Sequence, residues 1–122
     1  MKALYIEPLR KPRIIDIPLS LDALQAKVRG MLGSTYLPEP DGSETAILFN
    51  DNGIAEGLQL NRVVGPHIIY GPFLLCGVGE EDFTDLPEDL IAKYMEQFKY
   101  LEVFIPRPDG SLAVIKIMEE PI

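Results

Sequence analysis

One cysteine, one histidine and no long apolar run: each shortage removes a class of protein. A lone Cys76 cannot form an intrachain disulfide, so the fold has to rest on its hydrophobic core, and a reducing compartment is the expected setting. Cys76 lies inside the apolar run Leu74-Leu75-Cys76-Gly77, which predicts a buried, inert thiol. With His67 as the sole imidazole, the Cys/His ligand sets that zinc prefers cannot be assembled, and His67 is read as a strand-edge or hydrogen-bonded residue. Asn50-Asp51-Asn52-Gly53 has a superficial likeness to a calcium loop but lacks the alternating ligands and the closing Glu, so it is read as a turn and no metal is expected. A membrane span needs roughly 18 to 20 apolar residues, and the longest runs here are broken by Gly71, Pro72, Gly77 and Gly79. The N-terminus meets Glu7 and Pro8 before the apolar core of a signal peptide can form, so a cytoplasmic location without a membrane partner is expected.

Positive charge is also scarce. Eleven basic residues face nineteen acidic ones, a net charge of −8, and the imbalance is uneven. Residues 1 to 29 carry six basic and three acidic side chains, while residues 30 to 122 carry five and sixteen, so +3 stands against −11. Such a surface repels phosphate backbones, and nucleic acid is not an expected partner. Arg10, Lys11 and Arg13 form the one basic cluster, read as a solvated turn with an anion contact as the sharper alternative. There is no G-x-S-x-G, no Walker sequence, and Gly77-Val78-Gly79 lacks the third glycine of a dinucleotide fingerprint. No cofactor is therefore expected.

The 122 residues, 47% hydrophobic, suit one domain, 1 to 122. Residues 2 to 7 and 13 to 17 read as a strand hairpin. Leu21, Leu24, Val28 and Met31/Leu32 have the spacing of a helix face, giving a helix over about 21 to 32 with Ser20 as N-cap and Gly33 as stop. Residues 38 to 43 are a loop, 45 to 49 a buried strand, and the chain returns through 54 to 64. Ile68 to Val78 reads as one central strand bent at Gly71-Pro72. A second helix over about 86 to 99 has Leu86, Leu90, Tyr94 and Phe98 on its apolar face, with Thr84 or Asp85 as cap and Glu88 completing a capping box. Leu101 to Ile117 is a hairpin, a C-terminal extension over 100 to 122. The fold class is α+β, a mainly antiparallel sheet with both helices on one face.

Two segments draw attention as sites. Residues 80 to 89 hold six acids and no base, read chiefly as favourable charge at a helix N-terminus, with an acidic contact surface anchored by Phe83 as the alternative. Asn61-Arg62 pairs a guanidinium with an amide in an apolar, glycine-flanked segment, a combination able to hold a phosphate or carboxylate beside Tyr70 or Phe83. The plainer alternative is an arginine that pairs with an acid and fixes this arm to the sheet.

Several segments together carry a resemblance: Met1-Lys2-Ala3-Leu4 with Glu7-Pro8, the Leu21 to Val28 helix, Gly57-Leu58-Gln59-Leu60-Asn61-Arg62, Ile68 to Phe73, and Glu81-Asp82-Phe83-Thr84 through Lys93-Tyr94. Over residues 1 to about 98 the chain resembles domain-of-unknown-function family 3846, proteins of phages and mobile elements. That family commonly has proline where Gln59 stands and Gly-Thr-Phe where this chain has Gly71-Pro72-Phe73. The resemblance implies a phage, plasmid or prophage origin and brings no activity, substrate or catalytic residue. The leading expectation is a non-enzymatic accessory protein that binds a host component such as a host protein, with counter-defence as the role this context suggests. A binder of a small, nucleotide-type anion through Asn61 and Arg62 comes second. An enzyme is third, and needs a carboxylate of residues 80 to 89 facing Arg62 across a cleft. The C-terminal hairpin leaves an edge that can pair across a two-fold axis, so a homo-oligomer is within expectation.

Overall fold

A computed structural model describes residues 1 to 121. Five strands form the main sheet in the order β2-β1-β7-β4-β3, with the short β8 also on β7, and every pairing is antiparallel. These are β1 (Lys2–Ile6), β2 (Arg13–Asp16), β3 (Leu32–Pro38), β4 (Glu44–Asn50), β7 (Phe73–Val78) and β8 (Phe83–Thr84). Two ribbons stand beside the sheet: β5 (Leu60–Val64) with β6 (His67–Tyr70), and β9 (Leu101–Pro106) with β10 (Leu112–Ile117). The helices are α1 (Leu21–Val28) and α2 (Glu88–Phe98). Among the described residues no helix is long and apolar enough to cross a membrane.

The three inner strands are apolar at consecutive positions, because both faces of the sheet are covered. Ala3, Tyr5, Ala46, Leu48, Leu74 and Cys76 pack with Leu24 and Val28 of α1. Their strand neighbours Leu4, Ile6, Ile47, Phe73 and Leu75 pack with Ile91, Tyr94 and Phe98 of α2 and with Val64 and Ile69 of the β5–β6 ribbon. The helices therefore lie on opposite faces, which corrects the one-face expectation. Uninterrupted apolar runs such as Ala3 to Ile6 are the signature of two-sided burial; a one-sided sheet alternates.

Three further boundaries differ from the sequence reading. The first helix ends at Val28, where Arg29 takes a left-handed conformation (φ 66°), four residues before the expected stop at Gly33. The chain then forms β3, an edge strand whose half-exposed Gly-Ser-Thr-Tyr pattern carries little strand signal. The run 68 to 78 is two strands in two sheets, divided at Gly71, whose φ of 78° turns the chain out of the β5–β6 ribbon and into the sheet centre. At α2, Pro87 stands at the cap without a side-chain bond; Asp85 instead accepts the Lys2 amide at 2.8 Å and ties the loop to β1, so no capping box forms. Ser20 caps α1 as expected, its Oγ accepting from the Ala23 amide at 3.2 Å. The C-terminal hairpin keeps a regular six-pair register and joins the body at the buried Leu101 and Glu102.

Candidate functional site

In β5 the register slips between Leu60 and Arg62, so Asn61 is an extra residue in the strand. A bulge brings two adjacent side chains to the same side, and here both turn inward. Neither Asn61 nor Arg62 has any exposed surface. The Asn61 amide donates to Ile6 O at 2.9 Å and to Gly71 O at 2.8 Å. The Arg62 guanidinium donates through Nη1 to Asn61 Oδ1 at 2.7 Å, and through Nη2 to Arg10 O at 2.8 Å and Phe98 O at 3.1 Å. Phe98 closes α2, so the buried charge meets the negative end of a helix dipole. Burial pulls the Arg62 pKa down to about 10, opposed by the nearby Glu102 carboxylate, which leaves the group charged at neutral pH. The pair thus fastens the arm to β1, the β1–β2 turn and α2 mainly through carbonyls, with no direct ion pair to an acid among the described residues. Among the described polar side-chain atoms, Arg62 Nε alone is buried without a partner.

The four residues expected to meet a ligand are not brought together. Asn61 and Arg62 are enclosed, Tyr70 lines a cavity of about 710 Å³, and Phe83 is half-buried on β8 beside Val78, Gly79 and Asp82. The acids of residues 80 to 89 do not face Arg62: Glu80, Glu81 and Asp82 border a shallow hollow with Tyr36 and Phe83. In the basic cluster, Arg10 pairs with Glu120 at 3.4 Å and Arg13 with Glu7 at 3.3 Å. The Lys11 amide also donates to Glu120 at 2.9 Å. Cys76 is buried as expected, and burial pushes its thiol up to about 12.

A cavity of about 710 Å³ opens where the β5–β6 ribbon stands over β3 and the end of β4. Thr35 and Phe49 line it from the sheet, His67 to Tyr70 from β6, and residues 50 to 55 from the turn after β4. The volume falls within the range of about 300–1,000 Å³ typical of ligand pockets. Asn50 holds the turn in shape: its amide donates to Glu56 Oε2 at 2.9 Å and Arg29 O at 3.1 Å, and its Oδ1 accepts from the Asn52 amide at 2.8 Å. The wall is therefore built before anything binds. Among the described residues no lysine or arginine lines the cavity, and Asp51 is its one carboxylate. His67 Nε2 lies 3.4 Å from Thr35 Oγ1, fulfilling the expectation of a hydrogen-bonded histidine. Among the described residues no carboxylate bonds the imidazole, so the third member of a nucleophile–base–orienter set is not in place. Of the lining residues, Ile54 is 72% exposed and Ile68 49%.

Sequence reasoning set Tyr70 beside Asn61 and Arg62 and did not gather Thr35, Asp51, Ile54, His67, Ile68 and Tyr70 into one site. The available signal was Ile54 itself, an isoleucine set in the polar turn Asn50 to Gly57.

A family model described as a domain of unknown function (DUF3846) matches residues 1–99. The chain belongs to this family. Neither the curated proteins nor the solved structures give a significant match. All the cavity residues and the Asn61–Arg62 knot lie within the DUF3846 match, whereas β9 and β10 lie beyond it.

Proposed function

We propose that this DUF3846 chain is a non-enzymatic accessory protein of a phage or other mobile element, and that it binds a host protein through the cavity beneath the β5–β6 ribbon. One observation carries the reading: two large apolar side chains, Ile54 and Ile68, stand exposed among the residues that line a concavity about 710 Å³ in volume. Exposed apolar side chains at a preformed hollow suit an aromatic or aliphatic anchor from a larger partner, the arrangement in which a few residues carry most of the binding energy. Asp51, Thr35, His67 and Tyr70 supply polar groups that would fix the orientation of that anchor. A small anion is less well served, because Asp51 would oppose it and Arg62 is enclosed. The mobile-element origin and a counter-defence role rest on the family resemblance alone.

Affinity capture from the bacterial host with the native protein and with Ile54→Asp and Ile68→Asp variants tests the proposal. Both positions are exposed, so the fold is expected to survive. A host protein held by the native chain and lost from both folded variants is the expected result. Identical captures from all three would place the contact elsewhere.

A further inference from the structure

The β9–β10 ribbon differs from the rest of the surface in three ways. It is apolar on both sides: by register, Val103, Ile105 and Ile115 share one face and Phe104, Leu112 and Val114 the other. A ribbon with one side in water would alternate, yet Ile105, Val114 and Ile115 are 41–48% exposed. Its outer edge is also open. The Arg107 amide donates to Ser111 O at 2.8 Å, and antiparallel alternation from that pair turns the N–H and C=O groups of Leu112, Val114 and Lys116 away from β9. Among the described residues β10 pairs with β9 alone.

The third difference is charge. Residues 101 to 117 carry Glu102, Asp109, Arg107 and Lys116, two of each sign, so the whole net charge of −8 lies outside the ribbon. Two copies repel over most of their surface and least here. The edges of the main sheet are poorer templates, since β3 ends in Pro38 and β2 has only four residues. β10 runs six residues without proline or glycine.

We infer that the ribbon is a self-association surface, on which two copies pair β10 to β10 about a two-fold axis. With the axis at Val114, Leu112 lies opposite the second copy's Lys116, and Val114 opposite its own counterpart. Every outward backbone group of the three residues then gains a partner, and no like charges oppose. On the other face Ile115 meets the second copy's Ala113. The product is a continuous four-stranded sheet with an isologous interface.

Sedimentation velocity over a broad dilution series from the highest soluble concentration is the test, with two variants checked for native circular dichroism. Val114→Pro removes only an outward N–H, a placement that edge strands tolerate, so the hairpin stays intact while pairing is blocked. Val114→Lys sets two positive charges face to face across the axis. The expected result is a native mass that rises with concentration towards twice 13.6 kDa, and 13.6 kDa for both variants. A native chain that stays at 13.6 kDa throughout overturns the inference, as does a dimer retained by the folded variants. Should Val114→Pro fail to fold, Val114→Lys decides between the same two results.

Discussion

Arg62 is the largest side chain fully closed off from solvent, and its hydrogen bonds reach three separate parts of the chain. Replacing it with methionine keeps much of the volume but leaves Asn61 Oδ1, Arg10 O and Phe98 O without donors. At roughly 1–3 kcal/mol for a stranded buried group, Arg62→Met should lower stability by about 3–5 kcal/mol in urea unfolding. A loss under about 1 kcal/mol would mean that water replaces the guanidinium and that the knot is dispensable. Glu39 is a second buried polar centre. Its carboxylate accepts from Lys93 Nζ at 2.7 Å, the Tyr94 hydroxyl at 2.5 Å and the Thr45 hydroxyl at 2.8 Å. Burial raises its pKa, but these three bonds and the Lys93 charge outweigh it, and the net displacement is below the ordinary 4.5. The unfolded chain therefore takes up the proton first. The stabilisation is complete above the unfolded value and is lost as pH falls through the folded one. Acid titration of stability should show this loss in the native protein, and Glu39→Gln should flatten that part of the curve; an unchanged acid limb would contradict the assignment.

At the scale of elements, Gly71 decides the architecture. Its left-handed conformation lets an apolar run change sheets, and a Cβ there would come 2.6 Å from Leu58 Cδ1. Gly71→Ala should cost about 1–2 kcal/mol from backbone conformation alone. It should also raise hydrogen exchange in β5 and β6 above that in β1 and β4, and uniform exchange across the sheet would show that the turn is not the hinge between them. The elements that sequence revealed best were those with local signals. The C-terminal hairpin announced itself by two apolar runs around Pro-Asp-Gly, and Ser20 by its place before a helical period. What stayed hidden depends on distant partners: β3 is stabilised by β4 rather than by its own composition, and the side of the sheet that each helix covers is a tertiary matter. Asn61-Arg62 was legible as an unusual pair. Only the bulge, formed against β6, shows that it points inward.

For the whole molecule, the sheet is covered on both faces, and the cavity is the gap left where the β5–β6 ribbon overhangs β3 and the end of β4. Its members come from three separated segments, which no local sequence signal brings together. Asp51 is the one charged side chain among the described residues that line the cavity, and it is exposed, so an apolar anchor enters without desolvating a buried charge. The most direct measurement is photo-crosslinking in the bacterial host, with a photoreactive residue placed at position 68 and, as control, at the equally exposed Ile14 on β2. A discrete protein adduct from position 68 and none from position 14 is the predicted result. The same adducts from both positions, or none from 68, would contradict a protein-binding role for the cavity.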